Sequence, residues 1–204
     1  MKSDMQYQDL SRFRMPSGFR GRSGVYVQCW WLVQWFLFRP SPQAFYGFRR
    51  SLLRVFGAQV GKQVLVRPTA WITYPWNVSI GDYSWIGDEV VLYSLGNIGI
   101  GSHTVISQRS YLCAGTHDYT QPTFDISAPS VHIADQVWVA TDVFIGPGVS
   151  IGEGAVVGAR SSVYKDLPAG MFCLGNPAKA IRPRFKRSDS VNDSINPPDV
   201  IAES

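Results

Sequence analysis

His117 stands in an irregular stretch, residues 113–132 (CAGTHDYTQPTFDISAPSVH), directly before Asp118 and just past the pair Tyr111 and Leu112. Imidazole is the side chain whose proton comes and goes near neutral pH, so a histidine at the root of a projecting loop suits general-base work on an alcohol. If that alcohol attacks an acyl group that is already activated, no serine or cysteine nucleophile is required. Asp118 has several readings: it orients the imidazole, it binds the acceptor, or it is a turn residue bonding its own backbone. The other histidines, His103 and His132, lie at outward positions of a regular pattern and read as structural or solvated. A zinc site needs three ligands converging at about 2 Å. Positions 103, 117 and 132 include no close pair, so no metal is expected.

The pattern that must hold this loop has a period of six. Residues 133–165 divide into IADQVW, VATDVF, IGPGVS, IGEGAV, VGARSS and VYK, and the chain reads IGDYSW and IGDEVV from Ile80, and IGSHTV and ISQRSY from Ile100. Each hexad opens with Ile or Val, and each complete one has Val, Ala, Ser or Thr in fifth place. A helix turns about 240° in six residues and never gathers these positions on one stripe. In extended chain, residues six apart share a face, so a short strand and a corner every six residues make a three-sided coil of about eighteen. Stacked coils bury the aliphatic column and bond only to the coils above and below. Gly81, Gly87, Gly101, Gly146, Gly152 and Gly158 follow the aliphatic residue, where turning or close approach favours a residue without Cβ. The phase slips by two residues before Ile100 and by three between Leu112 and Ile133; interruptions of a regular scaffold are where function concentrates.

The remainder frames this coil. A chain of 204 residues supports one principal domain: an N-terminal segment at 1–56, the coil at 57–168, a basic extension at 169–187 and a disordered tail at 188–204. The net charge of +4 is modest, with basic residues gathered in 12–54 and 165–187, which points to local anionic partners rather than nucleic acid. Cys29, Cys113 and Cys173 read as reduced packing residues, and the polar stretch 1–24 lacks the apolar core of a signal peptide, so a cytoplasmic location is expected. Residues 25–38 (VYVQCWWLVQWFLF) are too short to span a bilayer, which takes roughly 20. They read either as a helix capping the coil or, flanked by Arg20, Arg22, Arg39, Arg49 and Arg50, as a helix in a membrane interface.

The hexads resemble the hexapeptide-repeat acyltransferases, which implies an all-β fold, a left-handed parallel β-helix. From Phe19 to Arg184 the match narrows. FRGRSG, the tryptophan-rich segment, RPTAWITYPW, IGDYSWIGD, SQRSYLCAGTHD and VWVATDVFIGPGV together resemble the colanic-acid and exopolysaccharide acetyltransferases. The resemblance implies transfer of acetyl from acetyl-CoA to a sugar hydroxyl of a polysaccharide repeat unit, such units usually being assembled on a lipid at the inner membrane face. In this reading His117 is the base and Asp118 its neighbour in the site. It also implies that Trp138, Thr141, Ala159, Tyr164 and Lys165 line the CoA groove, and that Lys179 and Arg182 of GNPAKAIR face its phosphates. Outward apolar residues Trp85, Val91, Tyr111, Trp138 and Phe144 form a column that three chains would bury around a threefold axis as a homotrimer, and the resemblance implies that the site lies between its subunits. Three rivals share the repeat: a non-catalytic scaffold for polysaccharide assembly, a zinc enzyme of the γ-carbonic-anhydrase type, and a transferase using another short acyl thioester such as succinyl-CoA.

Overall fold

Alternation along an extended hexad sends its first and fifth residues inward and its sixth outward. The structure, a computed structural model, describes residues 7–185; the tail expected at 188–204 lies outside the described residues. Ile80, Ile86 and Leu92 are buried, and so are the fifth-place Ser84 and Val90. Two inner columns therefore fill the coil, one aliphatic and one small. The first face carries Gln59–Val60, Val78–Ile80, Ile98–Ile100, Val131–Ile133 and Ser150–Ile151. The second carries Leu65–Val66, Trp85–Ile86, Val105–Ile106, Trp138–Val139, Val156–Val157 and Met171–Gly175. The third carries Trp71–Ile72, Val91–Tyr93, Tyr111–Cys113, Phe144–Ile145 and Ser162–Val163. These strands pair in parallel with constant register, Ile86 opposite Ile106 and Ile106 opposite Val139. The fold is the expected left-handed parallel β-helix.

The corners differ from the expectation in one respect. Left-handed backbone falls on the fourth residue of the hexad, with φ of 58° at Tyr83, 54° at His103 and 58° at Asp142. The glycines in second place are there for close approach instead. A Cβ on Gly81 would lie 2.5 Å from the Ser102 backbone nitrogen, and one on Gly87 would lie 2.7 Å from that of Gln108. Third-place side chains stitch the stack: Asp82 accepts the Lys62 N–H at 2.7 Å, and Asp135 accepts the Ser102 N–H at 2.8 Å.

The two-residue slip before Ile100 is the second of a pair. The preceding coil carries the same excess in the turn Pro75–Asn77, so Val60, Ile80 and Ile100 stay aligned on the first face. The first coil, residues 60–72, obeys the hexad rule as VGKQVL and VRPTAW, with Val64 and Ala70 buried in fifth place.

A helix Gly24–Val33, capped by Ser23 and continued by a wider turn Gln34–Phe38, closes the N-terminal end. Val27, Trp30 and Phe38 are buried on its inner side. Trp30 Nε1 donates to the Ile72 carbonyl at 2.8 Å, and Ile72 N–H donates to Gln34 Oε1 at 2.8 Å. The capping reading therefore describes the inner side, while the outer side, Cys29 included, faces away from the protein. A second helix, Tyr46–Val55, overturns the view of Arg49 and Arg50 as cations flanking an interfacial helix. Arg49 is fully buried and donates to the Val66, Pro42 and Gln43 carbonyls at 2.7, 2.8 and 2.5 Å, while Arg50 donates to the Val64 carbonyl at 2.9 Å. At the other end, Ala178–Pro183 folds back antiparallel on Met171–Gly175, so the basic extension is mostly a hairpin of the second face.

Candidate active site

The excursion between the third and first faces is itself ordered. Thr116–His117 pairs antiparallel with Ile126–Ser127, and Asp118 N–H donates to the Asp125 carbonyl at 2.8 Å. Gly115, just before the hairpin, packs closely under neighbouring side chains: a Cβ there would lie 2.8 Å from Leu95 Cδ1 and 3.1 Å from the Tyr93 ring, so the Leu95 side chain would have to shift. His117 is half-buried. Its ring stacks on Phe124 with centroids 4.2 Å apart, Phe13 packs at 6.0 Å on a tilted plane, and Nδ1 lies 2.8 Å from the Phe124 carbonyl. A carbonyl only accepts, so Nδ1 carries the proton and donates it, which leaves the Nε2 lone pair to receive one. Phe124 presents that carbonyl from the left-handed region, φ 52°, a conformation that costs a bulky residue about 1–3 kcal/mol and persists where its surroundings impose it.

Asp118 does not orient the imidazole. Its Oδ1 accepts the Thr120 N–H at 2.9 Å and the Thr120 hydroxyl at 2.5 Å, which keeps its carboxyl below the usual range and closes the turn. The orienting group is the Phe124 carbonyl, and no sequence pattern marks a backbone oxygen seven residues downstream. Phe13 was missed for a similar reason. Its approach depends on the N-terminal strand of chain lying over the hairpin, where Asp9 N–H donates to the Pro122 carbonyl at 2.8 Å. Nearby groups do not compete as bases or nucleophiles at neutral pH: burial pushes the Tyr111 phenol up to about 12 and raises the Cys113 thiol. His103 sits on a corner, stacked on Tyr83 at 5.1 Å, and His132 faces out from the first face. Among the described residues no three metal-ligating side chains converge.

The residues expected to line a donor groove separate into two sets. Trp138, Thr141 and Ala159 surround an open cavity of about 570 Å³ on the second face, together with Phe172 and Leu174. Arg182 joins them: its guanidinium lies 5.0 Å from the Phe172 ring and lines an adjoining cavity against Trp138. Lys179 is opposite Leu174 in the hairpin register. Tyr164 and Lys165 lie instead beyond the far edge of the third face, where Tyr164 packs against Phe144 at 5.7 Å. The outward apolar column divides likewise. Trp85 and Trp138 project from the second face, whereas Val91, Tyr111 and Phe144 project from the third, where Tyr93, Tyr111 and Phe144 lie 6.0 Å apart in succession. One stripe is thus two, on neighbouring faces of the prism. The groove extends past Ser107 and Gln108 to a polar end at Tyr46, Arg67 and Asp88, where Arg67 Nε donates to Asp88 at 2.7 Å.

Coil, excursion and terminal hairpin make up a hexapeptide-repeat β-helix. The galactoside acetyltransferase in complex with coenzyme A superposes with a TM-score of 0.76 at 24% identity, over 93% of this chain and 92% of that one. The maltose O-acetyltransferase of Clostridium difficile 630 does so with a TM-score of 0.72 at 24% identity, over 79% and 89%. At that identity the likeness establishes the fold. The colanic acid biosynthesis acetyltransferases WcaF of Escherichia coli K12 and of Shigella flexneri are each 56% identical over 179 residues, 88% of this chain and 98% of theirs. The chain belongs to the WcaF family of acetyltransferases. No family model matches it.

Proposed function

We propose that the protein moves acetyl from acetyl-CoA to a sugar hydroxyl of an exopolysaccharide repeat unit, with His117 as general base. The observation that carries this reading is the Nδ1 bond to the Phe124 carbonyl, because it leaves Nε2 as the free acceptor. Nε2 takes the hydroxyl proton as the oxygen attacks the thioester carbonyl, backbone N–H groups hold the developing oxyanion, and the imidazolium returns the proton to the departing thiolate. The names of the relatives support acetyl transfer in colanic acid biosynthesis, and coenzyme A is bound in a protein of the same fold. Transfer of labelled acetyl from acetyl-CoA to free, nucleotide-linked and lipid-linked sugars tests the reading. Label in a sugar product is expected; no product and no CoA binding would return the chain to a scaffold.

In this reading the donor lies along Trp138, Thr141 and Ala159, with Lys179 and Arg182 toward its phosphates. Three chains pack the second face of one against the third face of the next, which brings Tyr164 and Lys165 of a neighbour to the same groove. The two separate apolar faces support that assembly, since each alone would be an exposed aromatic surface. His117 then serves a groove made with another chain. Complementation reads this out. Chains carrying His117→Ala and chains carrying the groove-filling Ala159→Trp are each inactive alone, whereas co-assembled they regain activity at about a quarter of the sites. Mixed particles with no activity would place base and groove in one chain.

A further inference from the structure

The helical stretch of residues 24–38 is apolar on both sides. Its inner side is covered by the first coil, but Val25, Leu32, Trp35 and Phe36 on the outer side are 81%, 58%, 56% and 72% exposed. A helix that is apolar all round is ordinarily a buried helix, and a contiguous patch of this kind marks an interaction surface. The surrounding charge narrows what covers it. Between Asp9 and Asp82 the chain has ten arginines and lysines and no acidic side chain. Arg49, Arg50 and Arg54 are engaged by backbone carbonyls and Arg67 by Asp88. Of the six that remain, Arg12, Arg14 and Lys62 lie away from the helix in sequence, Arg20 and Arg22 are exposed just before it, and Arg39 at its far end lies 4.6 Å over the Trp35 ring.

We infer that this face docks on an anionic lipid bilayer. The helix would lie flat, with Leu32, Trp35 and Phe36 below the headgroups and the three arginines at the level of the phosphates. Fifteen helical residues reach about 22 Å, which suits lying along an interface rather than crossing it. Among the described residues no helix is long and apolar enough to cross a membrane. A second copy of the chain is a poor cover, because two such faces meeting would bring together the same excess of arginine. This docking does not depend on the acetyl-transfer reading, since none of these side chains belongs to the proposed site.

Flotation of the full-length protein with vesicles tests the inference, using phosphatidylcholine alone and phosphatidylcholine mixed with phosphatidylglycerol. Retention by the mixed vesicles, weakened by added salt and much lower on phosphatidylcholine, is expected. Leu32→Ser combined with Phe36→Ser lowers that retention at least about tenfold, and Arg20→Gln with Arg22→Gln lowers it about as far. All four positions are exposed, so melting temperature, sedimentation and transfer to a soluble acceptor stay as in the wild type. Three results would each overturn the inference: no retention on mixed vesicles, equal retention of the variants, or a change of oligomeric state in Leu32→Ser/Phe36→Ser, which would assign the face to another copy.

Discussion

Replacing His117 with alanine is expected to lower turnover about a hundredfold or more while CoA affinity stays near that of the wild type. The reason lies in what the imidazole touches. Its ring stacks on and bonds to Phe124 in the excursion and packs against Phe13 in the N-terminal stretch, and neither is a groove residue. Alanine therefore removes the proton acceptor and leaves the cavity at Trp138, Thr141 and Ala159 as it was. The hydroxyl must then attack without a base, and the expected loss is in turnover. Steady-state rates with acetyl-CoA, paired with direct measurement of CoA binding, separate the two effects. Activity equal to the wild type would remove His117 from the reaction; a matching loss of CoA affinity would make it a binding residue.

The second large effect concerns stability. Arg49→Ala is expected to cost roughly 1–3 kcal/mol, the range for leaving a buried hydrogen-bond acceptor without its donor. The guanidinium is wholly buried, and burial pulls it below its ordinary pKa, yet its donors meet the carbonyls of Val66, Pro42 and Gln43 and the Ser41 hydroxyl. Alanine leaves the buried Val66 carbonyl without its donor, while the Pro42 and Gln43 carbonyls lie nearer to water. Arg49→Lys recovers only part of the loss, because an ammonium cannot fork to groups spread along a plane. Chemical denaturation of the three proteins measures this, and an alanine variant within about 0.5 kcal/mol of the wild type would contradict it.

How much of this was legible in the chain depends on the range of the contact concerned. The period of six follows from local alternation, so the coil, its inner columns and the place of His103 on a corner were readable from residues six apart. The place of His117 in an excursion was readable as well, because that excursion breaks the period. Phe124 was not. Its role is carried by a carbonyl, which every residue possesses, in a left-handed conformation that nothing in TQPTFD announces. Arg49 misled because its neighbours in sequence are basic and polar, whereas its burial is decided by the coil beneath the helix. The two-residue slip before Ile100 looked like an interruption; with the turn Pro75–Asn77 before it, it is a second instance of one longer coil. The apolar positions were found but placed on one face, since a six-residue step fixes that a residue points outward and not which of three sides it points from.

The side chains over the first coil have a consequence for the whole particle. A stack of parallel strands ends in unpaired carbonyls and N–H groups that invite another chain to add itself, the usual route by which such sheets grow into fibres. Here Arg54 occupies the Val60 carbonyl on one side, Arg49 the Val66 carbonyl on the next, and Trp30 with Gln34 both polar groups of Ile72 on the last. At the opposite end the hairpin partner Ala178–Pro183 runs antiparallel and covers the final strand of the second face. The helices that begin the chain thus act as a stopper as well as a cap, and a variant that loosens them, Arg49→Ala among them, exposes the sheet ends that seed aggregation.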